Sequence, residues 1–211
     1  MKVYDLTLPF SVNMMVFPGT PPMNYKLSQT IKKDNYNLGI ASINTHAGTH
    51  TDAPLHFIEG GDSLEKINVC KYIGKTVIVD CSTKSDFDEI NVSDLIPYSK
   101  KIADYKRVII KTNWSKHFNE PKYFTDYPVI TLELANWLVG LGVLMVGVEP
   151  PSLNPEKYIE VHNALLSSGV VIIEGLTNLG AIPGDEIFFI GAPIALQGAD
   201  GFPLRAIGIE F

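Results

Sequence analysis

Short runs of apolar residues, bounded by charged residues or by Gly and Pro, recur along the whole chain and predict a protein rich in strands. The clearest are Thr-Val-Ile-Val-Asp at 76–80 and Arg-Val-Ile-Ile-Lys at 107–111, whose β-branched interiors are typical of buried strands. The predicted strands cover residues 3–8, 26–31, 38–45, 76–80, 107–111, 143–148, 170–173, 186–190 and 204–209.

Fewer segments have the apolar spacing of a helix. The strongest follows Thr131, a good N-cap residue, and its apolar side chains share one face. Those side chains are Leu134, Trp137 and Leu138. Two shorter helices are predicted, one with Ser93 as its N-cap and one over 162–168 that ends at Gly169. Because strands outnumber helices and the two kinds alternate irregularly, we predict a mixed-sheet α/β fold forming a single domain over residues 1–211.

Composition narrows the class of protein. The net charge is −6 and no run of Lys or Arg occurs, so a nucleic-acid partner is not expected. Two cysteines, Cys70 and Cys81, are too few for a disulfide framework. No apolar run approaches the roughly 18 residues of a membrane helix, and the first residues contain no apolar signal core. We therefore expect a cytoplasmic protein without a membrane partner.

The candidate chemistry is concentrated in residues 46–57, which contain three of the five histidines together with an aspartate. Imidazole nitrogens beside a carboxylate oxygen are common ligands of zinc and similar divalent metals. Chance clustering of this kind is improbable in a chain with so few histidines. The segment therefore predicts a metal site with a catalytic histidine beside it.

The spacing within this segment favours an extended backbone. Gly48 and Pro54 argue against a helix interior. On a strand, His46, His50 and Asp52 have the same parity and project to one side. We therefore predict that the strand over 38–45 continues through these residues and bends near Pro54.

Two histidines lie outside this segment. His117 lies in a polar loop and is predicted to be a surface or pocket-rim residue. His162 is different because the apolar run that follows it, 170–173, ends in Glu174. A carboxylate in that position must be paired, coordinated or placed at a cleft, since burying it alone costs several kcal/mol. His162 and Glu174 are therefore candidates for the second part of the site.

The segment His-Ala-Gly-Thr-His-Thr-Asp-Ala-Pro-Leu-His-Phe at 46–57 resembles the signature H-x-G-T-H-x-D-x-P-x-H-F of the cyclase family of metal-dependent hydrolases. That family includes the bacterial kynurenine formamidases and the isatin hydrolases. The resemblance continues in order through residues 128–138, 147–152, 162–166 and 171–176, and covers nearly the whole chain. It implies the compact α/β fold of the family, with a β-barrel-like core and assembly as a homodimer or a higher homo-oligomer such as a tetramer.

The resemblance also implies a centre of two divalent metal ions. Zinc is expected, and manganese or cobalt would also suit these ligands. The matching ligands are His46, His50 and Asp52 for one metal, and Asp52, His162 and Glu174 for the other. Asp52 would then bridge the two ions, and His56 matches the catalytic histidine of the family rather than a ligand.

This set of residues suits amide hydrolysis. A bound divalent ion lowers the pKa of water from about 16 to about 7 and polarises a substrate carbonyl. A histidine, with an ordinary pKa near 6.5, can protonate the departing amine. The expected reaction is hydrolysis of an amide or formamide C–N bond by metal-activated hydroxide, with His56 as the proton donor.

The Pro-rich loop over 16–22 bears on the substrate. The formamidases of the family usually carry tryptophan before Pro-Gly, where this chain has Phe17. Phenylalanine keeps a stacking face for an aromatic substrate but lacks the indole N–H. The chain also departs from the family at Glu149, where an aspartate is usual before the Pro-Ser segment.

Three functions stay open on these grounds. The first is an arylformamidase of tryptophan catabolism, which hydrolyses N-formylkynurenine to kynurenine and formate. The second is a hydrolase of another cyclic or acyl amide, such as an isatin-like lactam, with the same two-metal chemistry. The third is a non-catalytic domain that binds metal or a small molecule.

Overall fold

The structure, a computed structural model, describes residues 1–211 and contains thirteen strands and five α-helices joined by loops and short 3-10 turns. The strands are β1 (Lys2–Asp5), β2 (Asn24–Gln29), β3 (Leu38–Ser42), β4 (His50–Asp52), β5 (Ile73–Asp80), β6 (Glu89–Ile90), β7 (Arg107–Lys111), β8 (Val129–Ile130), β9 (Met145–Val148), β10 (Val171–Glu174), β11 (Glu186–Ile190), β12 (Gly201–Pro203) and β13 (Ile207–Glu210). The helices are α1 (Ile31–Asp34), α2 (Val92–Leu95), α3 (Ser99–Tyr105), α4 (Leu132–Gly140) and α5 (Tyr158–Leu166).

Nine strands form one mixed sheet in the order β1-β13-β11-β5-β7-β9-β10-β4-β12. The four central strands, β5, β7, β9 and β10, run parallel, and the strands on both sides of them pair antiparallel. The sheet curls into a half-barrel, which confirms the predicted mixed α/β fold with a barrel-like core. Two small sheets, β2-β3 and β6-β8, lie apart from it.

The central strands are buried on both faces, as parallel strands covered by helices must be. Along β5, Val77 and Val79 pack into the core cluster that includes α4 and α5, whereas Ile78 packs into the cluster inside the curl. The same alternation places Ile172 of β10 on the helix side and Ile173 inside the curl. A side chain that shares the parity of Ile172 therefore points towards the helices.

Three of the five helices were predicted from the sequence, with uneven accuracy at their starts, whereas α1 and α3 were not predicted. Thr131 is the N-cap of α4, as predicted, and its hydroxyl oxygen accepts a bond from the Leu134 N–H at 3.2 Å. The prediction of Ser93 as an N-cap was wrong, because Asn91 caps α2 and forms a capping box with Asp94. The helix predicted over 162–168 begins earlier, at Tyr158.

The predicted continuous strand through the histidine segment was wrong. Strand β3 ends at Ser42 and belongs to an exposed hairpin with β2, and the next strand, β4, contains only three residues. Between them the backbone turns, and Gly48 has a left-handed φ of 66°. His46 therefore lies in a turn rather than on a strand.

The longest helices have nine residues, and none has the length and apolar character needed to cross a membrane.

Candidate metal centre

The centre forms where β4 pairs antiparallel with β10. This pairing sets His50 opposite Glu174 and Asp52 opposite Ile172. Because Ile172 faces the helices, the side chains of His50, Asp52 and Glu174 face them too. His162, on the buried side of α5, completes the group from the opposite direction. The two sequence-distant halves predicted for the site therefore meet.

His50 and His162 are held in the same way. Nδ1 of His50 donates to the Gly48 carbonyl oxygen at 2.9 Å, and Nδ1 of His162 donates to the Tyr158 carbonyl oxygen at 2.6 Å. Each Nε2 then faces the carboxylates, with Glu174 at 3.4 Å from His50 and 3.3 Å from His162. Asp52 lies 3.6 Å from both Nε2 atoms through its two different oxygens. A ring with one nitrogen bonded to a carbonyl and the other free to face a cation is typical of a metal-binding histidine.

His46 joins the group from the turn that precedes β4. Its Nδ1 lies 2.9 Å from Oδ1 of Asp52, so the predicted proximity of these residues is found although the predicted strand is not. Its Nε2 lies 3.0 Å from Oδ2 of Asp200. The ring also packs edge-on against His50, with 5.1 Å between centroids.

His56 ends the 3-10 turn Pro54–His56, on the open side of the centre. Its ring stacks on His46, with centroids 3.8 Å apart and planes 22° from parallel. Nδ1 of His56 lies 3.5 Å from Asp200. With 29% of its side chain exposed, His56 is more accessible than His46, at 18%.

Two sets of donor atoms are close enough to hold a cation, and they share Asp52. One set combines His46, Asp52 and His56, and the other combines His50, Asp52 and Glu174. The shared carboxylate is fully buried, as are His50, His162 and Glu174. Both sets contain Asp52, but they differ from the ligand sets that the resemblance implies, because His56 takes the place of His50 in the first and His50 takes the place of His162 in the second.

Hydrogen bonds and neighbouring charges shift the pKa values of the buried groups in the centre. Burial raises the pKa of Asp52, but the hydrogen bond from His46 and the charges of the surrounding histidines outweigh burial and hold that pKa well below its ordinary value. Burial likewise lowers the pKa of His46, yet its bonds to Asp200 and Asp52 raise it to about 10. The pKa of His162 is also raised, by Glu174, against the effect of burial. Protons on the histidines thus offset the negative charge of the carboxylates. Divalent cations can take the place of these protons, so the donor set fits a metal centre.

His117 and Glu149 lie outside the donor group. His117 packs on Trp114 and contacts Glu120 at 3.0 Å, in agreement with its predicted surface position. Glu149 is buried, and its carboxylate accepts bonds from the backbone N–H groups of Thr112 and Asn113 at 2.7 and 2.5 Å. Its role is to hold the loop that follows β7.

Asp200 is the site residue that sequence reasoning missed. It contacts both His46 and His56, yet it precedes a glycine in a segment that has only the pattern of a turn. Its position depends on the pairing of β12 with β4, which sets Gly201 opposite Asp52. No local pattern indicates that pairing.

A cavity of about 660 Å³ opens above the centre. His46, His50, His56, His162 and Glu174 reach its wall, and Phe17 approaches from the N-terminal loop. Phe17 packs edge-on against Phe124, with 5.8 Å between ring centroids, and is 43% exposed. The volume suits a small organic molecule.

Its similarity to known metal-dependent hydrolases identifies the chain as a member of that class, and the buried His, Asp and Glu cluster at the floor of an open cavity agrees with this. A family model described as Cyclase matches residues 4–155, well over half of the chain. The chain belongs to this family, which confirms the resemblance seen in the sequence.

Known relatives match almost the full length. The kynurenine formamidase of Bacillus cytotoxicus is 31% identical over 206 residues, which cover 96% of this chain and 95% of that protein. A solved structure described as a potential metal-dependent hydrolase with cyclase activity is 28% identical, with a TM-score of 0.79 and coverage of 98% of this chain and 96% of that chain. Isatin hydrolase A of Labrenzia aggregata, at 22% identity, shares the fold with a TM-score of 0.84 over 98% of this chain and 93% of its own.

Gly175 offers a test of how closely the two halves of the centre approach each other. It has a φ of 68°, and a Cβ there would lie 2.5 Å from the Gly48 carbonyl oxygen. Gly175→Ala is expected to lower the free energy of unfolding by about 2–5 kcal/mol, because left-handed strain adds to a forced backbone shift. Chemical denaturation measures this loss.

Gly184→Ala is the matched control. Gly184 has a similar φ of 77°, but no atom lies within 4 Å of its Cβ position. Only the left-handed strain of about 1–2 kcal/mol is expected there. Equal losses in the two variants would contradict the close contact between Gly48 and Gly175.

Proposed function

We propose that the protein is an arylformamidase that hydrolyses N-formylkynurenine to kynurenine and formate. The observation that carries the proposal is the buried donor group around Asp52, which lies at the floor of a cavity with an aromatic wall. The relationship to kynurenine formamidases over nearly the whole chain supports the choice of an amide substrate.

The centre would hold two divalent ions, and zinc is the metal we propose. Following the resemblance to the family, the ligands would be His46, His50 and Asp52 for one ion, and Asp52, His162 and Glu174 for the other. The contacts of Asp52 with His46, His50 and His162, and of Glu174 with His162, support this division. When bound, such ions lower the pKa of a water molecule and polarise the substrate carbonyl. The chain fixes the ligands beforehand, because carbonyl oxygens hold His50 and His162 and the ring of Phe57 stacks on His162 at 4.4 Å.

His56 is the proposed proton donor. Its Nδ1 faces Asp200, which leaves Nε2 available to protonate the departing amine nitrogen at the cavity wall. Stacking on His46 keeps the ring beside the metal ligands without a carbonyl contact of the kind that holds His50 and His162. This position suits proton transfer at the edge of the centre.

Phe17 is the proposed contact for the aromatic ring of the substrate. It lies on the same cavity wall as the histidines, and its edge-on contact with Phe124 fixes the ring plane. Because tryptophan is usual here in the formamidases, a cyclic amide such as isatin is the alternative substrate.

We also propose that the protein assembles as a homo-oligomer. The hairpin β2-β3 carries exposed apolar side chains and pairs only with itself, which supports a contact with a second copy. Those side chains are Tyr25, Leu27, Leu38 and Ile40. The mass of the protein in solution tests this assembly.

A cytoplasmic location stays a prediction, and cell fractionation tests it.

Parallel assays on N-formylkynurenine and isatin test the proposed reaction. We expect turnover of N-formylkynurenine that a chelator abolishes and added zinc, manganese or cobalt restores. Faster turnover of isatin would favour the cyclic-amide alternative. Protein that is purified without chelator and neither contains nor takes up a divalent metal would refute the metal-dependent reaction and favour a binding domain of another kind.

His56→Asn tests the proton donor. The substitution should lower kcat by about 10²–10⁴-fold, because it removes acid catalysis, while the metal content stays unchanged. Steady-state kinetics and elemental analysis measure the two quantities. His117→Asn is the matched control, since that histidine lies outside the centre. Unchanged turnover in His56→Asn would remove this residue from the reaction.

Phe17→Ala tests the aromatic contact. Loss of the ring should raise KM for N-formylkynurenine by about 2–10-fold, as expected for one aromatic pair, while Phe17→Trp should keep KM low. Phe211→Ala, which removes an exposed ring that does not line the cavity, serves as the control. A KM unaffected by Phe17→Ala would show that the substrate binds elsewhere in the cavity.

A further inference from the structure

His46, His50 and His162 each turn one ring nitrogen towards the carboxylates of the centre, but the partner of the other nitrogen differs at His46. His50 and His162 each bond one ring nitrogen to a backbone carbonyl oxygen and turn the other towards the carboxylates. His46 also turns one nitrogen, Nδ1, towards Asp52. Its other nitrogen, Nε2, contacts the Asp200 carboxylate at 3.0 Å. Asp200 therefore occupies the place that carbonyl oxygens occupy at the other two histidines.

The backbone around Asp200 is held independently of its side chain. The Asp200 carbonyl oxygen accepts the Ala53 N–H at 2.8 Å, and the neighbouring Ala199 carbonyl oxygen accepts the Leu64 N–H at 2.9 Å. Gly201, which follows, lies against the His46 ring, since a Cβ there would be 2.7 Å from Cε1 of His46. The chain thus brings β12 close to His46 and aims the Asp200 side chain at it.

We propose that Asp200 is a positioning residue that orients His46 for metal binding and His56 for proton transfer. An acceptor at Nε2 of His46 selects the tautomer with its proton there and leaves the Nδ1 lone pair on the side of Asp52. The same Asp200 oxygen lies 3.5 Å from Nδ1 of His56, so one carboxylate fixes two stacked rings. This inference rests on the proposed metal centre.

Metal titration of the full chain tests the inference without substrate. Asp200→Ala is expected to weaken binding of Co²⁺ or Mn²⁺ by about 10–100-fold, the usual effect of losing such a partner, with the number of ions bound at saturation unchanged. Asp200→Asn keeps an acceptor oxygen and should restore part of the affinity. Calorimetry measures affinity, and the visible spectrum of bound Co²⁺ reports the altered ligand field. At saturating metal, kcat should also fall, because His56 loses its support.

Glu65→Ala is the matched control for effects on the loop. Glu65 accepts the Gly198 N–H at 3.0 Å, so it anchors the same loop without touching a histidine. Glu65→Ala removes this anchor, and its metal affinity should equal that of the parent. The metal-free variants should still unfold in one cooperative transition, because the backbone bonds of Ala199 and Asp200 are retained. Asp200→Ala should unfold at a lower temperature than the parent, since it loses its contact with His46.

Four results would overturn the assignment. Affinity of Asp200→Ala within twofold of the parent would show that His46 needs no such support. An equal loss of metal affinity in Glu65→Ala would show that Asp200 acts only by anchoring the loop. Loss of one bound ion per chain at saturation would make Asp200 a ligand instead. A parent protein that binds no metal would refute the metal centre itself, and the first three results leave that centre intact.

Discussion

The antiparallel pairing of β4 with β10 is the constraint on which the centre depends. It sets His50 opposite Glu174 and leaves Asp52 two positions away on the same buried face. Two carboxylates brought together inside a protein lose hydration and repel each other, so they require nearby positive charge. Histidine protons supply that charge in the metal-free chain, and divalent ions would supply it more fully. The hydrogen bonds that build this part of the sheet therefore also concentrate the negative charge that a divalent ion would neutralise.

The donors that could be predicted from sequence are those whose position depends on local geometry. His50 and Asp52 share a face because side chains alternate along a strand, and Glu174 stands out because it ends an apolar run. His46 joins them by a different route from the one predicted. Its parity with His50 indicates a strand, but Gly48 turns the backbone and the ring reaches Asp52 from a loop. At His46, the residue type correctly predicted a place beside Asp52, whereas the predicted strand was wrong.

Asp200 could not be predicted because its role depends on sheet register. An Asp-Gly pair has the pattern of a turn wherever it occurs, and the histidines that it contacts are more than 140 positions away. Only the pairing of β12 with β4 brings Gly201 opposite Asp52 and places the Asp200 carboxylate beside His46. The parallel strands at the centre of the sheet were easier to predict, because burial on both faces gives each of them an apolar sequence of its own.

The proposed metal ligands and the proposed substrate contact lie on different kinds of structure. His50, Asp52 and Glu174 lie on paired strands, so a change in any of them also disturbs a buried charge balance. Phe17 lies in a loop without regular structure, is 43% exposed and touches the rest of the protein through the edge of Phe124. A substitution there alters the cavity wall without leaving a buried charge unpaired. If these proposed roles hold, the metal ligands are tied to the stability of the fold, whereas the residue at position 17 can change with little effect on stability.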